Sequence, residues 1–123
     1  MIMAWNGRVS AVMKDSDDIG FTFNEGLLQS THLCILKNAP NLATATTFLN
    51  AAISPPLQAN LPMEIDYGPG NPAAFDVGTI PAERAAELPS APANAAKQAL
   101  LSDEWWASPE GVAAEARWLT FMQ

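Results

Sequence analysis

Few residues in this chain have the types and spacing that chemistry would need. The single histidine, His32, and the single cysteine, Cys34, stand two positions apart. On a strand they would project from one face. A structural zinc site wants about four such ligands, and no further Cys or His supports these two, so no metal is expected. As a nucleophile–base pair they stand too far apart in regular strand geometry. Cys34 lies in an apolar run and reads as a small buried hydrophobe. The acidic pairs Asp17-Asp18 and Asp103-Glu104 fall in hydrophilic stretches. General acid–base work needs carboxyls with shifted pKa in a cleft, so these read as a solvated turn and a helix cap. Gly68-Pro69-Gly70 lacks the lysine and following hydroxyl of a phosphate loop, and its proline removes an N–H that such a loop would use. No constellation asks for an enzyme, and no cofactor is expected.

The composition sets the frame for these residues. A chain of 123 residues is enough for one modest domain. Hydrophobic residues make up 49% and charged residues 15%, which reads as globular rather than disordered. Four tryptophans and five phenylalanines give it burial potential. Ten prolines argue for many short elements. The formal charge of −7 disfavours nucleic acid, whose phosphates need a basic surface. It mildly favours cationic ligands and keeps the protein soluble. One cysteine allows no internal disulfide. Met1-Ile2-Met3-Ala4-Trp5 has no basic region followed by an apolar stretch, so it is not a signal peptide. Taken literally, a chain starting at Met1 stays in the cytoplasm.

Along the chain, Arg8–Met13 has apolar residues on both parities and could be a helix end or a buried strand. Ile19-Gly20-Phe21-Thr22-Phe23 alternates with period two and predicts a strand. Leu33–Lys37 predicts a second strand, buried on both faces. Asn38-Ala39-Pro40 predicts a helix start, with Leu42, Ala45, Phe48, Leu49, Ala52 and Ile53 on one stripe. Ser54-Pro55-Pro56 ends that helix, and a short helix follows over about Pro56–Asn60. Met63–Tyr67 predicts a brief extended segment, and Gly68–Pro72 a turn. The alanine-rich stretches 73–75, 82–88 and 93–101 favour helix. Ser108-Pro109-Glu110 marks a final helix start: a cap residue, a proline in the first turn and an acid near the positive end of the dipole.

Short motifs also recur in a fixed order: Trp5-Asn6-Gly7-Arg8, then Gly26, then Leu33-Cys34-Ile35-Leu36-Lys37-Asn38-Ala39-Pro40-Asn41. Ala45-x-x-Phe48-Leu49-Asn50, Ser54-Pro55, Gln58-Ala59, Tyr67-Gly68-Pro69-x-Asn71 and Asp103-x-Trp105-Trp106 follow. In this order the chain resembles the last third of a bacterial extracellular solute-binding protein of the polyamine (spermidine/putrescine) type. The resemblance implies an α/β fold, part of the type II periplasmic binding class, helix-rich with a few short strands and without its N-terminal portion. Residues 1–32 would be a second-lobe segment and hinge, 33–90 a first-lobe segment and 91–123 C-terminal helices. Lobes so divided would leave strand edges and helix faces uncovered, which implies self-association, a homodimer included, or a piece of a longer protein. The implied location is periplasmic and the implied partner is an ABC permease.

The same resemblance assigns the ligand site. Trp5 matches the family's cleft-lining tryptophan, whose ring covers a methylene chain and attracts an ammonium. Asn6 and Gly7 match the residues after it. Tyr67 matches a loop that passes near the cleft. Aligned on Gly26 and Leu33, the family's aromatic and acidic ligand positions hold Gln29 and Thr31 here. A buried ammonium without a paired carboxylate loses its main compensation for desolvation. Gln29, Thr31 and His32 are therefore expected to supply hydrogen bonds instead, to a polyamine-like or less charged polar solute. The Trp105-Trp106 pair is expected to pack in the core.

Overall fold

The structure, a computed structural model, describes all 123 residues. Its elements are α1 (Asn6–Met13), β1 (Gly26–Leu28), α2 (Leu42–Ala52), α3 (Pro55–Gln58), α4 (Leu61–Glu64), a 3-10 turn (Pro72–Asp76), α5 (Ala82–Ala86), α6 (Pro92–Ala95), β2 (Gln98–Leu100), α7 (Asp103–Trp106) and α8 (Pro109–Phe121). No helix is long and apolar enough to cross a membrane.

Proline and small polar residues set most of these boundaries. Ser108 caps α8 by accepting from the Gly111 N–H, with Pro109 and Glu110 in the first turn, as its local pattern predicts. Ser102 caps α7 in the same way through the Trp105 N–H. Asp103 and Glu104 occupy the first turn of α7, where their charge opposes the positive end of the dipole. The open choice at Arg8–Met13 resolves as helix. The helix after Asn38-Ala39-Pro40 starts later than expected, at Leu42. Asn38 takes a left-handed turn conformation at φ 65° instead of capping.

Three expectations fail together, for a shared reason. Ile19–Phe23 and Leu33–Lys37 form no strand, and Cys34 is exposed rather than buried. A strand is completed by hydrogen bonds to a neighbour, and neither segment has one. Met63–Tyr67 is not extended: α4 takes its first residues and a bend follows. The alanine-rich stretch 93–101 does not stay helical. It breaks after α6, and β2 pairs in parallel with β1, with Gly26, Leu27 and Leu28 opposite Gln98, Ala99 and Leu100. That long-range pairing overrides a weak local helix preference. The Trp105-Trp106 pair meets edge to face at 4.9 Å, but both rings are about half exposed rather than core.

The core is small. Only nine of 123 residues are buried, so polar bracing must stand in for apolar bulk. Leu88 is its largest fully buried side chain, packed with Ala59, Ala74, Ile80 and Ala91. Phe75 and Ala85 close over this cluster. Around it, side-chain amides hold loop carbonyls. Buried Asn94 donates to Ala86 O at 2.8 Å and Leu88 O at 2.9 Å. Gln98 donates to Pro89 O and Asn94 O, and Asn71 to Ile53 O. Such bonds satisfy backbone that no sheet or helix pairs.

The surface is correspondingly large. The chain exposes 9564 Å², whereas a folded monomer of this size exposes about 6,400 Å². Leu33, Leu36, Leu42 and Phe48 stand open along one side, with Leu36 at 79% and Phe48 at 66% exposure. No residue of α2 is buried, so its predicted stripe is only half covered.

Candidate functional site

Trp5 is the residue just before α1, in extended conformation, where its carbonyl accepts from the Arg8 and Val9 N–H groups. Its ring is 61% exposed, so it forms an open wall rather than part of the core. Asn6 begins α1 and donates its side-chain amide to Asp66 O, which leaves its side-chain carbonyl free to accept. Gly7 lies beneath the Tyr67 ring. A Cβ there would come within 2.9 Å of Tyr67 Cζ, which is why this position tolerates no side chain without moving the tyrosine. Trp5, Asn6 and Tyr67 therefore belong to one corner, where the start of α1 meets the loop after α4.

That corner is braced from behind. Arg84 on α5 pairs with Asp66 at 2.7 Å, and its side chain is 20% exposed. It also donates to Pro62 O at 2.7 Å and Ile65 O at 3.0 Å, and reaches Glu87 at 3.0 Å. Burial alone would lower the guanidinium's pKa. The hydrogen bonds and charges of Asp66 and Glu87 outweigh it and hold the pKa above its ordinary value. A cavity of about 300 Å³ lies beside the corner, lined by Gly7, Arg8, Lys14, Glu64, Asp66 and Tyr67 among others.

Gln29, Thr31 and His32 occupy a second place. They follow β1 on an exposed segment that β2 carries past the start of α7, with Leu101 N–H bonded to Leu28 O. His32 Nε2 lies 3.7 Å from Asp103 Oδ2, and both side chains are 62% exposed. A pair so open to water adds little stability. No hydrogen bond or ion pair joins this segment to the Trp5 corner. The expected site residues thus form two groups, each presenting free polar atoms or ring faces to solvent. Arg84 and Asp66 escape a reading of the sequence, because nothing local marks an arginine whose acceptors lie 19 and 22 residues away.

A second cavity, of about 500 Å³, lies elsewhere. It runs between residues 33–40 and α2, with Leu33, Ile35, Leu36, Phe48 and Leu49 in its walls and Lys37 as its one charged side chain. No group of three or more His, Cys, Asp or Glu side chains converges to hold a metal.

Residues 1–96 match the family described as bacterial extracellular solute-binding protein. The chain is similar to the gamma-aminobutyric acid-binding protein of Pseudomonas aeruginosa, 28% identical over 106 residues, which are 86% of this chain and 30% of that protein. Among solved structures it is similar to an ABC transporter substrate-binding protein from Bradyrhizobium japonicum USDA 110. The identity there is 67% and the TM-score 0.93, over 98% of this chain and 37% of the other. It is also similar to the PBP MotA from A. tumefaciens B6, solved in complex with glucopine: 31% identity and a TM-score of 0.72, over 91% of this chain and 35% of the other. The chain spans about a third of the length of each. Its helices and short parallel strands are thus part of a periplasmic-binding-protein fold, as the ordered motifs imply. With most of its residues inside the family match, the chain belongs to the bacterial extracellular solute-binding proteins.

Proposed function

We propose that this chain works as part of the substrate-binding component of an ABC transporter, capturing a small polar, amine-bearing solute outside the cytoplasm for a membrane permease. The observation that carries this reading is the 67% identity, at a TM-score of 0.93, to an ABC transporter substrate-binding protein over nearly the whole chain. Capture is reversible, in a cleft between lobes that closes by hinge motion. Residues 1–32 and 33–90 are segments of the two lobes, and 91–123 are a C-terminal segment of helices and the strand β2. Trp5 supplies an apolar wall and a cation-attracting face. Asn6, Gln29, Thr31, His32 and Tyr67 supply hydrogen bonds.

The absence of an acid at Thr31 and the similarity to a protein named for gamma-aminobutyric acid favour a solute with one ammonium and a second polar group. Putrescine and spermidine are the more specific reading, carried by the Trp5-Asn6-Gly7 stretch. Calorimetry with gamma-aminobutyric acid, putrescine, spermidine and a small neutral amide tests both. The expected result is micromolar or weaker binding of an amine-bearing solute, since only part of the enclosing surface is present. Trp5→Ala should weaken it roughly 2- to 30-fold through loss of the ring face. No binding by any amine at millimolar concentration, or equal binding by Trp5→Ala, would contradict the proposal.

The exposed surface favours a second reading for the chain by itself: pairing with a copy of itself. The surface in excess of a folded monomer, about 3,000 Å², is more than a standard interface buries. Residues 29–35 make no backbone hydrogen bond and run beside the apolar groove of Leu33, Leu36 and Phe48. Unpaired backbone next to an apolar face is a template for strand addition. Light scattering after size exclusion should give twice the chain mass, and Phe48→Asp should return it to one. A wild-type chain that stays monomeric at high micromolar concentration would sink this reading.

A further inference from the structure

The structure assigns Arg84 a positioning role: through Asp66 and Asn6, its guanidinium sets where the Trp5 end of α1 stands beside Tyr67. This inference rests on the solute-binding reading of that corner. Arg84 touches no proposed ligand group itself. It meets α4 at Pro62 O and the loop after α4 at Ile65 O and the Asp66 carboxylate, and steadies its own position on Glu87. The planar fork of donors suits this set of acceptors, whereas a lysine ammonium could satisfy only some of them.

Asp66 is held on two sides. Its carboxylate faces Arg84, and its backbone carbonyl accepts from the Asn6 side chain. That last bond is the only hydrogen bond between α1 and a segment distant in sequence. Apart from it, α1 is located by the close seat of Gly7 under the Tyr67 ring. Tyr67 directly follows Asp66, so one loop fixes both neighbours of Gly7. Release of the loop by loss of Arg84 would free the Asn6 anchor and the tyrosine together. The aromatic wall at Trp5 would then lose its fixed distance from Tyr67 while the helices themselves persist.

The test uses the isotope-labelled chain with Arg84→Gln, Arg84→Lys and, as a control, Glu87→Gln. Hydrogen exchange and chemical shift of the Asn6 side-chain amide are read by NMR, with helix content from circular dichroism. Arg84→Gln should speed exchange at that amide roughly 2- to 10-fold, as expected for loss of the neutral bond from Asn6 to the Asp66 carbonyl. The Trp5 indole and Tyr67 ring signals should shift, with helix content unchanged. Arg84→Lys should restore the Asn6 signal only in part, and Glu87→Gln, which leaves the loop contacts in place, should not move it. Should Arg84→Gln unfold, Asp66→Asn removes the same ion pair while keeping the Asp66 carbonyl, and the Asn6 signal must move in the same direction. An Asn6 amide unchanged in the folded variants would overturn the inference. Titration with gamma-aminobutyric acid adds a functional reading: affinity should fall in Arg84→Lys at constant helix content. If the wild-type chain binds none of the amines, the solute-binding reading fails, and the Asn6 amide still decides the role of Arg84.

Discussion

Replacing Gly68 by alanine isolates one steric contact beside the proposed site. A Cβ at Gly68 would lie 2.0 Å from Ser90 Oγ, 2.9 Å from Ser90 Cβ and 3.0 Å from Ser90 N. Gly68 has an ordinary negative φ, so alanine meets no backbone strain there, and it would gain about 0.4–1 kcal/mol by restricting the unfolded chain. Against that gain stand two costs. Ser90 Oγ donates to Pro69 O at 2.8 Å, and rotating it out of the way gives up that bond, worth about 1 kcal/mol. Its Cβ and backbone N cannot rotate away. The segment carrying Ser90 must shift, and Leu88 and Ala91 on either side of it are core residues. Overpacking of this kind costs about 1–3 kcal/mol. The net expectation is a loss of about 1–3 kcal/mol, a large share of the stability of a chain with so small a core. Urea unfolding followed by circular dichroism measures it. Gly20→Ala serves as the control, because nothing lies within 4 Å of its Cβ; it should be neutral or slightly stabilising. Ser90→Gly in the Gly68→Ala background removes two of the three clashing atoms and should recover part of the loss. Gly68→Ala as stable as the wild type, or no recovery in the double variant, would refute the reasoning.

Three further predictions follow from packing and charge. Leu88→Ala empties the centre of the one apolar cluster and should cost about 2–5 kcal/mol, read by thermal unfolding. Gly111→Ala should destabilise in spite of a helix-propensity gain of about 1 kcal/mol. Its Cβ would lie 2.3 Å from the Trp105 carbonyl and 2.7 Å from Trp106 Cα, backbone that cannot yield without parting α7 from α8; urea unfolding of this variant provides the check. Arg84 has a pKa above its unfolded value, so its stabilisation is fully present below that value and is lost only as pH rises through the folded one. The stability difference between wild type and Arg84→Gln should therefore stay constant from about pH 7 to 10 in urea titrations.

The legible parts of the fold were those written in adjacent residues. Ser108-Pro109-Glu110 carries its own cap and stop, so the start of α8 could be read directly. The prolines after Ser54 placed the start of α3, although the Ser54 hydroxyl donates back to Ala51 O and caps nothing. The alternation at 19–23 and the apolar run at 33–37 become strands only beside a neighbouring strand, and none is there. The break of the stretch 93–101 into α6 and β2 depends on Gly26–Leu28, more than seventy residues earlier. At the candidate site, Trp5 and its neighbour Asn6 are marked by their motif alone. The Arg84 brace could not, because its partners Asp66 and Pro62 come together only through tertiary packing.

An NMR titration of the labelled chain with gamma-aminobutyric acid and putrescine tests the solute-binding account most directly. Saturable shifts confined to Trp5, Asn6, Gln29, Thr31, His32 and Tyr67 are the predicted result. Saturable shifts that fall instead along the apolar groove between residues 33–40 and α2, with the Trp5 indole unmoved, would contradict it.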